Sequence, residues 1–155
     1  MKTKTMLLSA VIALAVQSQA HAGCTVIGDR TADGIARHLS AACTHFTEPY
    51  MDAQRAHEKS NSAFIDDIVI VSLGSFTSPA DAYHAQWLRG IITAQRVIWA
   101  IPESNAQLVD YAKQRRSSDV DRLYVIPTRF MNSNGNALSE ANYRFVAQQI
   151  EGLAR

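Results

Sequence analysis

This sequence has no long apolar run, no excess of one charge and no cysteine-rich spacing. Its longest apolar stretch, Met6 to Val16 broken only by Ser9, is too short to cross a bilayer. Lys and Arg number 15 against 14 Asp and Glu. Nothing in that balance points to nucleic acid or to an anionic membrane surface as a partner. Its two cysteines, 19 residues apart, do not form the close Cys pair of a usual structural zinc site, so none is expected. No motif calls for a cofactor. There is no internal repeat and no low-complexity linker, and the length suits one domain.

What is present begins with Lys2 and Lys4, then the apolar stretch, then polar Gln17, Ser18 and Gln19, and then Ala20-His21-Ala22. This order of basic, apolar and small-x-small segments reads as a secretory signal peptide cleaved after Ala22. Residues 23–155 would then form a single exported domain, periplasmic or secreted, with no membrane span left after cleavage. A membrane anchor or a buried helix is the alternative reading. A lipoprotein signal ending at Cys24 fits less well, because His21 stands where an apolar residue belongs. Losing Lys2 and Lys4 brings the basic count to thirteen against fourteen acids. An oxidising compartment favours pairing of Cys24 with Cys43 over two buried thiols.

The apolar pattern alternates in type along the mature chain. Cys24–Gly28 reads as a strand, Thr31–Leu39 as a helix, and a weak strand is expected within 44–54. Ile68–Leu73 is an aliphatic run typical of a strand buried on both faces. Ser78-Pro79-Ala80-Asp81 resembles a helix start, with Ser as cap and Pro at the first position, and the helix is expected to reach about Gln95. Val97–Ile101 and Leu123–Ile126 are further strands, and Ser104–Arg116 and Ser139–Leu153 are helices. Strands alternating with helices of this length predict an α/β fold with a parallel sheet of about five strands and helices on both faces. Ligands in such folds sit at the carboxyl ends of the strands, which draws attention to the loops at 29–31, 75–78 and 128–138.

Two of those loops carry a pattern. Val26-Ile27-Gly28-Asp29-Arg30 with Gly34 follows the first strand, and Val69-Ile70-Val71-Ser72-Leu73-Gly74-Ser75 leads into Phe76-Thr77. These blocks resemble SGNH (GDSL-type) hydrolases, and the resemblance implies a flavodoxin-like three-layer α/β/α sandwich. In that family a serine nucleophile would stand at position 30, an oxyanion-hole asparagine at position 76, and the triad acid and base at positions 134 and 137. This chain has Arg30, Phe76, Asn134 and Ala137 there. The resemblance also puts Ala56 where a second oxyanion donor, a glycine, would lie. A guanidinium cannot act as an acyl-transfer nucleophile, Asn134 carries no charge to orient an imidazolium, and Phe76 cannot donate to an oxyanion. A flavodoxin-like order would also make the strands near Cys24 and Cys43 neighbours, within disulfide reach.

The expectation is a non-catalytic exported module of the SGNH type. Its candidate binding residues are Asp29, Arg30, Thr31, Ser75, Phe76 and Asn134, and its partner is a small anionic ligand or a protein. Asp29 would accept loop amides. Arg30 would draw a carboxylate or phosphate, unless it pairs with Asp29 or Asp33. Phe130 and Met131, with Phe76, would close the pocket with apolar bulk. One alternative is a weak esterase or carbohydrate deacylase using Thr31 or Ser75 with His84 as base. Another is a periplasmic inhibitor or immunity-type protein that uses a helix face. His38 suits the end of the first helix, where a cation is favoured. His45 and His57 carry no signal beyond surface positions. Asp66-Asp67 fits a strand entrance at the amino end of the sheet, opposite the usual site, and Trp87 and Trp99 are spaced like core or helix-face residues.

Overall fold

In the computed structural model, which describes residues 23–155, the chain runs β1 (Cys24–Gly28), α1 (Arg30–Ala36), β2 (Thr44–Thr47), α2 (Ala53–Lys59), β3 (Phe64–Ile65), β4 (Ile68–Ser72), α3 (Asp81–Gly90), β5 (Ile92–Thr93), β6 (Arg96–Pro102), α4 (Ala106–Arg115), β7 (Asp121–Ile126) and α5 (Glu140–Ala154). The expected signal peptide, residues 1–22, lies outside the described residues.

Strands β2-β1-β4-β6-β7, in that order, form one parallel sheet, and β3 pairs with β5 in a separate two-stranded ribbon. Alternate side chains of each inner strand fill different cores, because successive residues point to opposite faces. Ile27, Val69, Val71, Val97, Trp99 and Ile101 pack with α2, α3 and α4. Val26, Ile70, Ile98, Ala100 and Ile126 pack with α1 and α5. The result is the three-layer α/β/α arrangement that the alternating pattern predicts. The chain moves from β1 outward to β2 and then returns to β4 on the other side of β1. Crossovers of one hand therefore put α1 and α2 on opposite faces.

Several boundaries differ from the sequence expectation. Helix α3 begins at Asp81 with no side-chain cap at Ala80, rather than at Pro79. The Asp81 carboxylate reaches back to the Ser78 amide at 2.9 Å, and the Ser78 hydroxyl accepts from Ala80 N–H at 3.4 Å, so Ser78-Pro79-Ala80 is a turn in front of the helix. The helix stops at Gly90 because the next residues join β3 as β5. Helix α1 ends at Ala36, its last buried residue. Helix α2 was not foreseen: it presents only Ala53 and Ala56 to the core, too little apolar bulk to register as a period. Asp52 caps it by accepting from Arg55 N–H at 2.7 Å.

Cys24 and Cys43 are disulfide-bonded across the β1–β2 edge, with Cα atoms 4.5 Å apart. At the amino end of β7, the fully buried Asp121 accepts two bonds from Arg89 (2.9 and 3.0 Å), one from Trp99 Nε1 (2.9 Å) and one from the Ser118 hydroxyl (2.9 Å). Burial pushes its carboxyl up, but these donors outweigh it and hold the group below the ordinary aspartate range. Asp121 thereby ties the end of α3 to β6 and β7.

Two stability outcomes follow from this frame. Asp121→Ala leaves the Arg89 guanidinium and the Trp99 N–H without their acceptor inside the fold, and is expected to cost about 3–5 kcal/mol in urea denaturation. Opening the disulfide, which closes a 19-residue separation, is expected to cost about 3 kcal/mol in the same measurement.

Candidate functional site

The strand order reverses between β1 and β4, so the loops leaving these two strands flank a crevice at the carboxyl end of the sheet. Gly28 allows the two strands to close on each other there. Its φ is +152°, and a Cβ at this position would lie 1.8 Å from the Ser72 carbonyl oxygen. Asp29 N–H donates to that same carbonyl at 3.2 Å. Gly34 serves a different contact, since a Cβ there would lie 2.1 Å from the ring of Tyr143 on α5.

Asp29 is fully buried and is the N-cap of α1. Its Oδ1 accepts from Thr31 N–H at 2.8 Å, and its Oδ2 accepts from Ser75 N–H at 3.1 Å. One carboxyl group thus holds the first turn of α1 and the loop after β4. Burial pushes its pKa up to about 6; the Ser75 side chain and the amides of Thr31, Ser75 and Ala32 oppose the shift without overcoming it. The Thr31 and Ser75 hydroxyls lie 3.1 Å apart and bond to each other. The structure therefore brings Asp29, Thr31 and Ser75 together, with Asp29 accepting loop amides as its position in the turn suggests.

Arg30 is the first residue of α1 and is exposed. It lines a cleft of about 280 Å³ with Asp33, Thr47, Glu48 and Pro49. Among the described residues it forms no salt bridge. Asp33 pairs instead with Arg37 at 2.6 Å and lies 3.4 Å from His45, while Glu48 takes Lys59 and Arg55. Asp29, turned inward to the two amides, is also not its partner. Neither internal pairing considered for Arg30 is present.

The remaining expected positions each have contacts of their own. Phe76 packs edge-on against Tyr50, with centroids 5.1 Å apart, and Phe130 against Phe145 at 5.6 Å. Met131 bridges to Leu138 at the base of the last loop. Asn134 is exposed beside Gly135, whose φ is +68°, and Ala137 is buried. Ala56 is fully buried in α2, and its amide is already spent on the Asp52 carbonyl at 2.9 Å, so it is not a free oxyanion donor. His84 rests against Tyr83, and no hydrogen bond joins it to Thr31 or Ser75. His38 Nδ1 meets the Gly34 carbonyl at 2.9 Å at the end of α1, and its ring stacks on Tyr143. Asp66 and Asp67 are engaged at the amino end of the sheet by Thr25 and Gln95. Trp99 is core, whereas Trp87 is half exposed and stands near His57.

Sequence reasoning missed Glu48 and Tyr143. Glu48 reaches the Arg30 cleft because its amide bonds the Gly28 carbonyl at 3.1 Å beyond the end of β2. Tyr143 is buried, which pushes its phenol up, and it lies close enough to Arg30 and Asp29 to feel both charges. Gly34 was the available sign that something packs against α1 at that point. Among the described residues no group of His, Cys, Asp and Glu is arranged to hold a metal ion, and no helix is long and apolar enough to cross a membrane. Comparison with protein-family models, with curated proteins and with solved structures finds no match for this chain.

A raised carboxyl makes stability fall as pH rises. The folded protein keeps the Asp29 proton up to about pH 6, whereas the unfolded chain loses it near 3.8. The contribution is therefore complete below about pH 4 and is lost as pH climbs through 6. The stability of the wild type relative to Asp29→Asn is expected to fall by about 3 kcal/mol between those limits, measured by denaturant titration at each pH.

Proposed function

We propose that this chain is an exported SGNH-type domain that has lost hydrolase chemistry and acts as a binding module for an anionic group. The observation that carries this reading is Arg30. It stands exposed and without an ion pair among the described residues, at the position where that family's serine would emerge after β1. The Gly28-Asp29 turn, the strand order and the Gly74-Ser75 loop support the kinship. The disulfide supports export, because such bonds persist in oxidising compartments.

Nucleophilic catalysis needs a hydroxyl with an adjacent base. Thr31 and Ser75 are tied to each other, the neighbouring Asp29 carboxyl has its two oxygens engaged by the Thr31 and Ser75 amides, and Asn134 and Ala137 supply no proton acceptor. A carboxylate or phosphate in the Arg30 cleft would meet one guanidinium free to form a charge-assisted bond, while the rim acids Asp33 and Glu48 are satisfied by Arg37, Lys59 and Arg55. With the rim acids paired, the cleft suits a single carboxylate or a phosphomonoester on a larger partner.

The full chain is expected to hydrolyse p-nitrophenyl acetate no faster than buffer and to form no adduct with a fluorophosphonate. Arg30→Ser is expected to leave both results unchanged, because a serine without a histidine remains unactivated. A fluorophosphonate adduct on Thr31 or Ser75 would overturn the reading in favour of a rearranged esterase. In NMR titrations with acetate and with phosphate, the amides of residues 30–34 and 47–48 are expected to shift in the wild type and to stay still in Arg30→Ala.

A further inference from the structure

Away from the sheet's carboxyl end, the outer side of α3 departs from what a solvated helix needs. Its inward face buries Asp81, Ala85 and Leu88. Its outward face carries Tyr83 and Trp87, four residues apart, with 59% and 52% of their surfaces exposed. The two rings meet at 6.1 Å in an edge arrangement, and His57 from α2 flanks Trp87 at 5.8 Å. Two open clefts adjoin the pair and share Tyr83 and Gln86. One, of about 360 Å³, is lined by Trp87, Gly90 and Ile91. The other, of about 490 Å³, runs toward α4 and is lined by Gln107, Asp110, Tyr111 and Gln114. Both volumes fall within the roughly 300–1,000 Å³ of small-molecule sites.

Gly90 supplies a separate observation. It has no positive φ, and a Cβ there would meet nothing within 4 Å. Neither a positive φ nor packing requires glycine at this last residue of α3. What its missing side chain does is leave the cleft beside Trp87 open.

We propose that this α3–α4 face is a binding site for a neutral oligosaccharide. Aromatic faces cover the apolar C–H surface of a sugar ring, and side-chain amides offer both donors and acceptors to its hydroxyls. Gln86, Gln107 and Gln114 make no side-chain hydrogen bonds among the described residues, so their amides are available. Charge sets the ligand class. Among the described residues, the only ionic side chain lining either cleft is Asp110, and it is paired with Lys113 at 3.3 Å. Among the described residues neither cleft is lined by a Lys or Arg to await an anionic ligand, and amides interrupt the apolar surface that a protein partner would cover. This site is distinct from the Arg30 cleft and does not depend on it.

The protein's own tryptophans report on the site. There are two, and Trp99 is fully buried with its N–H bonded to Asp121, so a ligand-dependent change in emission comes from Trp87. The full chain is titrated with cellotetraose, maltotetraose and chitotetraose. At least one is expected to shift and saturate the emission in the millimolar range or below. Tyr83→Ala and Gly90→Leu are each expected to weaken that binding at least about tenfold without lowering the melting temperature. Phe145→Ala, an exposed ring on the opposite helical layer, is expected to leave it unchanged. The proposal is overturned if none of the three sugars changes the emission, or if binding survives in both Tyr83→Ala and Gly90→Leu. It is equally overturned if the emission changes with protein concentration alone, which would make the face a contact between copies of the chain.

Discussion

One buried carboxyl group sets the geometry of the sheet's carboxyl end. Gly28 brings β1 against β4, and Asp29 then spans the gap, with one oxygen on the first turn of α1 and the other on the loop after β4. Because both oxygens are occupied inward, Arg30 is left at the surface and the Thr31 and Ser75 hydroxyls are brought into contact. The crevice that a doubly wound sheet ordinarily offers to a ligand is thus knitted together by its own polar groups.

Comparison with Asp121 shows which effect wins in each place. Both carboxyls are fully buried. Asp121 faces a bidentate guanidinium and an indole N–H, and these more than offset desolvation. Asp29 has only amides and hydroxyls around it, so desolvation prevails and its proton is held to about pH 6. A third buried acid, Asp81, is joined to Asn105 at 2.9 Å, and Asn105 in turn caps α4. Asp29 joins α1 to the loop after β4, Asp121 joins α3 to β6 and β7, and Asp81 joins the starts of α3 and α4 within one helical layer.

The layered architecture was legible because β4 and β6 are apolar on both faces, and because amphipathic segments separate the strands. Helix α2 and the β3–β5 ribbon were not. Their signals are two alanines and two pairs of residues, and tertiary contacts decide such short elements. The start of α3 misled because Ser78 and Asp81 satisfy each other as a cap would, but one turn earlier than the helix itself. At the candidate site, the turn at Gly28-Asp29 and its partner loop at Ser75 could be read from neighbouring residue types. The partners of Arg30's rim acids could not, because Glu48, Arg55 and Lys59 come from a loop and a helix that carry no motif. Tyr143 enters from the far end of the chain, and only Gly34 hinted at it.

The most direct test is to follow the Asp29 side-chain carboxyl by carbon-13 NMR across the acid range, together with the Thr31 and Ser75 amides. If Asp29 clamps the two loops from a buried position, its carboxyl titrates near pH 6 and both amides shift with the same midpoint. A midpoint near the ordinary 3.8, with the two amides unmoved, would contradict a buried clamp at the junction of β1 and β4.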